Sequence, residues 1–302
     1  MKVAVIGANG QLGSDVCAAF VQKRDEVIAL THAHLELSSA GSVDAALTNT
    51  NPEVVVNTAA MHHVDKCQND PAAALQANAI GARNVADWAR RAGIPVMYVS
   101  TDYVFDGKKG TPYVETDAPN PLNAYGISKL AGEHFTASMA EKHFVIRVSA
   151  IYGHQPCRAK DGLNFVELML KLAQERDELR VVDEEFVTPT PTAQIAAQIV
   201  ALAYSNRYGL YHATAEGKCS WYEFAREIFD CTGTKVRLIK ASSSEFPAKV
   251  PRPSYSVLEN HALKAAQLNV YTHWREGLHA YLAGRAQASY GSQQRTIDSY
   301  AR

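Results

Sequence analysis

An α/β fold built on a doubly wound parallel sheet is predicted by three observations. Short apolar, β-branched runs alternate with stretches of helical period from the N-terminus to about residue 150. The first run, Lys2–Ile6, passes directly into Gly7-Ala8-Asn9-Gly10-Gln11-Leu12-Gly13, a strand, glycine turn and helix start. The fourth run ends in Ser100-Thr101-Asp102-Tyr103, polar residues at the sheet edge where open α/β folds bind ligands.

Taken in order, Lys2–Ile6 is the first strand. The helix after it carries Leu12, Val16 and Phe20 at i, i+4 and i+8, one apolar stripe. The glycines let a backbone approach phosphate closely, and the helix N-terminus attracts the anion. Gly7, Asn9, Gly10, Gln11, Leu12 and Gly13 are therefore candidates for dinucleotide binding. The second strand is Glu26–Leu30. A carboxylate at its end would hold the ribose 2′-hydroxyl of NAD, but the chain continues Thr31-His32-Ala33-His34. That pattern favours NADPH over NADH, with Thr31 beside the ribose and Leu37, in Leu35-Glu36-Leu37, along the adenine. Val54–Asn57 is the third strand; the small Ala59 and Ala60 after it leave room for a cofactor to cross. His62 and His63 are adjacent and point oppositely in extended chain, so they do not share a metal. One of them enters a substrate pocket, or both are polar loop residues.

A single helix is expected over Pro71–Arg91, then a fourth strand over Ile94–Ser100. After a Gly/Pro-rich connection, Tyr125-Gly126-Ile127-Ser128-Lys129 opens another helix. Tyr125 and Lys129, four apart, share a face, so the ammonium can sit beside the phenol. A phenol of pKa about 10 is a poor proton carrier at neutral pH, and a nearby cation favours its phenolate. Thr101, Tyr125 and Lys129 at one sheet edge point to proton transfer to or from a carbonyl or alcohol. Phe144–Val148 is the fifth strand. Beyond Gly153 the rhythm breaks. A helix over Leu163–Glu175, a strand over Leu179–Val182, a helix over 192–204 and a strand over Gly209–Ala213 follow, the last rejoining the main sheet. Trp221–Phe229 is amphipathic, and Lys249–Leu258 is a proline-punctuated loop with one arginine, Arg252.

Composition sets outer limits. Apolar residues make up 47% and charged residues 20% of 302 residues, with a formal net charge of −1. That is ordinary globular composition and gives no footprint for nucleic acid or a membrane surface. The five scattered cysteines form no CxxC pair, which fits a reducing compartment. A cytoplasmic location is expected, and no metal site has convincing spacing.

Together VIGANGQLG (5–13), VVNTAAMHHVDKCQNDP (55–71), VSTDYVFDGKKGTPYVETDAPNPLNAYGISKLAGE (99–133), RVSAIYG (147–153), FVTPTPT (186–192) and RPSYSVL (252–258) resemble the extended short-chain dehydrogenase/reductases. Within them they are most similar to the dTDP-4-dehydrorhamnose reductases. The resemblance implies a Rossmann-like domain, 1–153 plus about 187–213, and a smaller mixed α/β substrate domain, about 154–186 and 214–285. Residues 286–302 are expected to form a flexible tail. It also implies NADPH-dependent reduction of the 4-keto group of a nucleoside-diphosphate 4-keto-6-deoxyhexose, in a protein that is often a homodimer. Tyr125 would protonate the oxygen, Thr101 would hydrogen-bond it, and Lys129 would tune the phenol and hold the nicotinamide ribose. His62, Val64, Asp102 and Tyr103 would lie on the substrate side. Arg252 is either a diphosphate clamp or a structural loop arginine.

Three departures from the family pattern fall on the substrate side. Ala150 stands where some members carry a base-stacking tryptophan, Glu184-Glu185 replaces Asp-Gln, and Met61-His62-His63 replaces small or polar residues. Ile151, Phe186 or Trp221 are the candidates to cover the base in place of the missing ring. Two other functions compete. One is an NAD-retaining epimerase or dehydratase; the other is a non-catalytic subunit like the regulatory subunit of methionine adenosyltransferase.

Overall fold

The computed structural model describes residues 1–157, 162–246 and 248–285; the expected tail over 286–302 lies outside them. The N-terminal half alternates strand and helix as β1 (Lys2–Ile6), α1 (Gln11–Gln22), β2 (Glu26–Leu30), α2 (Ala40–Thr50) and β3 (Val54–Asn57). It continues through α3 (Val64–Asn69), α4 (Pro71–Leu75), α5 (Gly81–Ala92), β4 (Val96–Thr101), α6 (Ala124–Met139) and β5 (His143–Val148). Short strands β6 (Ile151–Tyr152), β8 (Phe186–Val187) and β9 (Thr190–Pro191) flank α7 (Phe165–Glu175) and β7 (Glu178–Val182). Then come α8 (Thr192–Ala203), β10 (Gly209–His212), β11 (Cys219–Ser220), α9 (Trp221–Thr232), β12 (Arg237–Ala241), α10 (His261–Ala265) and a final helix over 274–285.

The main sheet has the order β10-β5-β4-β3-β1-β2, and every neighbouring pair is parallel. All six residues of β4 are buried, as a central strand covered on both faces requires. One face packs Val16 and Phe20 of α1 with Ile195 and Ile199 of α8; the other packs Val43, Leu47, Val85 and Trp88. Strand order reverses between β1 and β3, so their C-terminal ends diverge into a crevice. A separate cluster joins Val166, Leu179, Phe224, Ile228, Trp274 and Leu278 around the pair β7–β12.

Several elements have no counterpart in the sequence reading, α2 and β12 among them. In α2 only Val43 and Leu47 are buried, a stripe too thin to stand out. In β12 the run Arg237–Ala241 buries only its last residue fully and gains its order by pairing with β7. The helix expected over Pro71–Arg91 is interrupted by a π turn at Gln76–Ile80. Such turns commonly serve a site. Here Asn78 receives Met61 N at 2.8 Å and donates to Met61 O and Ser128 Oγ, both at 2.9 Å. Its own carbonyl accepts from Tyr98 Oη at 2.9 Å. The π turn thus clamps the 61–63 segment, β4 and α6 together. No helix among the described residues is long and apolar enough to cross a membrane.

Candidate active site

A cavity of about 860 Å³ lies at the C-terminal ends of β1, β3, β4 and β5. Every residue assigned from sequence to cofactor, substrate or catalysis lines it, except Phe186 among the candidates to cover the base. The glycine turn forms one wall. Gly7 sits at φ +81°, and a Cβ there would come within 2.9 Å of Ala59 N; one at Gly13 would meet Gly7 O at 2.1 Å. Side chains are excluded by backbone, so α1 and β3 meet without a barrier between them. The N-cap of α1 is Gly10, with no side-chain cap and no acidic residue in the first turn. Uncapped N–H groups at the start of a twelve-residue helix, facing a cavity, fit a dinucleotide diphosphate. Gln11 is spoken for: its Nε2 donates to Gly153 O at 3.1 Å and Gln155 O at 2.9 Å, tying the turn to β6.

At the adenosine end, Thr31, Leu35 and Leu37 line the wall together with Glu36. Hydrogen bonds from Ser38, backbone and hydroxyl, hold the Glu36 carboxyl below its ordinary range. His32 Nε2 stands 3.5 Å from it. No carboxylate follows Leu30 directly, but the bend at 31–36 brings Glu36, in the segment read as lying along the adenine, to the cavity from six residues further on.

Thr101 ends β4, and its Oγ1 caps the next turn by accepting Tyr103 N at 3.2 Å. The same hydroxyl donates to Asp102 Oδ1 at 3.0 Å, while Ser149 Oγ donates to Asp102 Oδ2 at 2.9 Å. Burial raises the Asp102 carboxyl above its usual range, opposed by hydrogen bonds from Ser256, Ser149 and Thr101. Asp102 lines the cavity, and its oxygens are engaged in orienting these hydroxyls. Tyr125 enters from the first turn of α6, whose cap Asn123 accepts Gly126 N at 2.9 Å. Gly126 permits this turn to sit close, since a Cβ there would meet Tyr103 O at 2.2 Å. Tyr103 packs edge-on against Tyr125, ring centroids 5.8 Å apart.

The tuning of Tyr125 differs from expectation. Burial raises its phenol well above the ordinary value, with a Thr101 hydrogen bond opposing and Asp102 reinforcing. Lys129 shares the helix face but directs its Nζ inward, 2.6 Å from Val99 O and 4.0 Å from the Tyr98 ring centre. Desolvation outweighs the expected cation effect. The phenol holds its proton.

His62 reaches the cavity and its Nε2 lies 3.8 Å from Cys157 Sγ. His63 lines it too and also caps α3, accepting Lys66 N at 3.4 Å. Arg252 lines the cavity with Asp65 at 3.7 Å. Beyond Ala150, Phe165 and Trp221 form an aromatic wall. Phe165 went unread because it looks like any apolar helix residue, and Phe186 does not line the cavity. Among the described residues, one group able to share a metal ion, Glu227, Cys231 and His279, lies on α9 and the final helix, outside this lining.

The profile of the RmlD substrate binding domain matches residues 1–286. The spore coat polysaccharide biosynthesis protein SpsK of Bacillus subtilis is 40% identical over 95% of this chain and 99% of its own. A dTDP-4-dehydrorhamnose reductase of Sinorhizobium fredii is 34% identical over 85% of this chain and 88% of its own. The crystal structure of dTDP-4-dehydrorhamnose reductase from Bacillus anthracis, in complex with NADP, superposes with a TM-score of 0.89 at 35% identity, covering 94% of this chain and all of that one. This chain belongs to the RmlD substrate binding domain family, and its motif resemblance to the dTDP-4-dehydrorhamnose reductases extends over nearly its whole length.

Proposed function

We infer that this protein is an NADPH-dependent reductase of the 4-keto group of a nucleoside-diphosphate 4-keto-6-deoxyhexose. The observation that carries the reading is the placement of Thr101, Tyr125 and Lys129 in one cavity with the glycine turn. A nicotinamide dinucleotide held at the glycine turn Gly7–Gly13 would supply the hydride chemistry. Tyr125, holding its proton, gives it to the carbonyl oxygen as the C–H bond forms. The Thr101 hydroxyl donates its one proton to Asp102 in this structure; turned from that carboxylate to the substrate oxygen, it steadies the developing alkoxide. Lys129 places positive charge beneath the site. Residues 1–153 with 187–213 serve the dinucleotide, and 154–186 with 214–285 the sugar nucleotide. The relatives named dTDP-4-dehydrorhamnose reductase support the substrate class, and the NADP complex of the Bacillus anthracis structure supports the cofactor.

The deciding experiment follows nicotinamide absorbance while purified protein is offered a dTDP-4-keto-6-deoxyhexose with NADPH or NADH. Stoichiometric oxidation of NADPH with formation of the 4-hydroxy sugar is expected. Protein that arrives with tightly held NAD and turns over without consuming reduced cofactor would instead be an epimerase or dehydratase. Binding without turnover of any 4-keto sugar nucleotide would leave only a non-catalytic role.

A further inference from the structure

Away from the cavity, α9 and the final helix bring three different donor side chains together. Glu227 and Cys231 stand four apart on α9 and share its face. His279 comes from the final helix, 52 residues beyond Glu227. One atom from each, a carboxylate oxygen, a thiol sulfur and an imidazole nitrogen, lies within 4.8 Å of the other two. His279 Nε2 is 3.0 Å from Glu227 Oε1, and Cys231 Sγ is 3.8 Å from the same oxygen. Tetrahedral zinc, with bonds of about 2.0–2.3 Å, sets its ligands roughly 3.3–3.7 Å apart. Small side-chain shifts therefore admit an ion.

The surroundings favour this set. Arg275 Nε donates to Glu227 Oε2 at 2.9 Å, which leaves Oε1 turned towards Cys231 and His279. Ligating carboxylates are oriented by such an outer hydrogen bond. The guanidinium also repels a cation, but Glu227 and a Cys231 thiolate together carry two negative charges against its one. The Glu227 side chain is 19% exposed and that of His279 53%. An ion can enter from solvent, and water can fill a fourth position. Thiolate, imidazole and carboxylate together select zinc over the hard ions magnesium and calcium.

We propose that Glu227, Cys231 and His279 form a binding site for a zinc-class divalent cation that staples the final helix to α9. On binding, the Cys231 thiol gives its proton to solvent and its sulfur bonds the ion, which sheds water for the three ligands. No oxidation state changes. The stapled helix carries Trp274, Leu278 and Tyr281 into the second core cluster, where α9 contributes Phe224 and Ile228. None of the three ligands lines the cavity, and the proposal does not depend on the reductase reading.

Titration of the chelator-treated full chain with Co(II) tests it, because a cobalt-bound thiolate gives a charge-transfer band in the near ultraviolet. One equivalent should develop the band, and Zn(II) should displace the cobalt and abolish it. Cys231→Ser should lose the band, and His279→Gln and Glu227→Gln should each weaken Zn(II) binding by about tenfold or more. Zn(II) should raise the Tm of the parent and not that of Cys231→Ser. Cys231 and His279 are exposed, so these variants should fold, which circular dichroism checks. Cys157, whose Sγ lies 3.8 Å from His62 Nε2, is the control, and Cys157→Ser should keep the band. A band that survives Cys231→Ser or vanishes with Cys157→Ser would overturn the proposal. So would a parent that binds neither Co(II) nor Zn(II) when the metal is in large excess.

Discussion

The ammonium of Lys129 donates to the Val99 carbonyl at 2.6 Å and faces the Tyr98 ring from 4.0 Å. Both contacts favour its charge, yet burial wins and brings its pKa from 10.5 to about 7, with Glu133 and Cys67 opposing. The charge beneath the site is therefore lost near neutrality. In the free enzyme, kcat/KM should fall as pH rises through about 7. The stability consequence has a fixed sign: between pH 7 and 10.5 the unfolded chain holds a proton that the folded chain has released, so stability rises with pH across that window. Comparing denaturant unfolding of the parent and Lys129→Met, the parent should gain relative to the variant from neutral to alkaline pH. A kcat/KM limb placed above pH 9 in the free enzyme, roughly where an ordinary lysine begins to titrate, would contradict this.

Tyr125→Phe removes the proton donor without removing the ring that packs against Tyr103. Folding and cofactor binding should persist while kcat drops by about 10²–10⁴. Retention of a tenth or more of the parent rate in single-turnover measurements would take Tyr125 out of the chemistry.

Glu36 places a carboxylate in the cavity lining at the adenosine end. A neighbouring negative charge opposes a 2′-phosphate. Glu36→Gln should raise the ratio of kcat/KM for NADPH over NADH by about two- to fivefold, a size set by solvent screening of a partly exposed group. A ratio that falls would mean Glu36 contributes to the NADPH site indirectly, by positioning His32.

Behind the site, Arg147 clamps Glu133 through two bonds, Nε to Oε1 at 2.9 Å and Nη2 to Oε2 at 2.7 Å. Ser100 Oγ adds a third at 2.5 Å. Both charged side chains are buried, 3% and 6% exposed. The imidazole of His212, lowered to about 3 by burial and by Arg147, stays neutral beside them. Glu133→Gln leaves the guanidinium buried without its charge partner and should destabilise by about 3–5 kcal/mol. Denaturant midpoints with an unchanged m-value would measure it, and a loss under 1 kcal/mol, roughly the worth of an exposed pair, would show that the pair is not isolated from solvent.

The strand-turn-helix at residues 2–22 and the Thr101, Tyr125, Lys129 constellation were legible because their information is local. Glycines where backbones must touch, apolar residues every three or four positions, and a Tyr and Lys one turn apart all declare themselves within a few residues. Even the rejoining of β10 to β5 followed from a short apolar run after α8. Weakly patterned elements, α2 and β12, did not declare themselves, since each has little apolar surface of its own and depends on a partner for burial.

The sequence by itself thus determined the parallel sheet, the phosphate-binding turn and which side chains gather at the edge of β4. Tertiary structure decided how those side chains are tuned and what surrounds them. It turned Lys129 toward Val99 and left Tyr125 holding its proton, because desolvation depends on everything packed around a group and not on its neighbours in the chain. It returned Glu36 to the cavity, made the π turn at Asn78 a clamp, and set Phe165 against Trp221 across two helices. Contacts between distant segments are fixed by how cores close, and no local period encodes them.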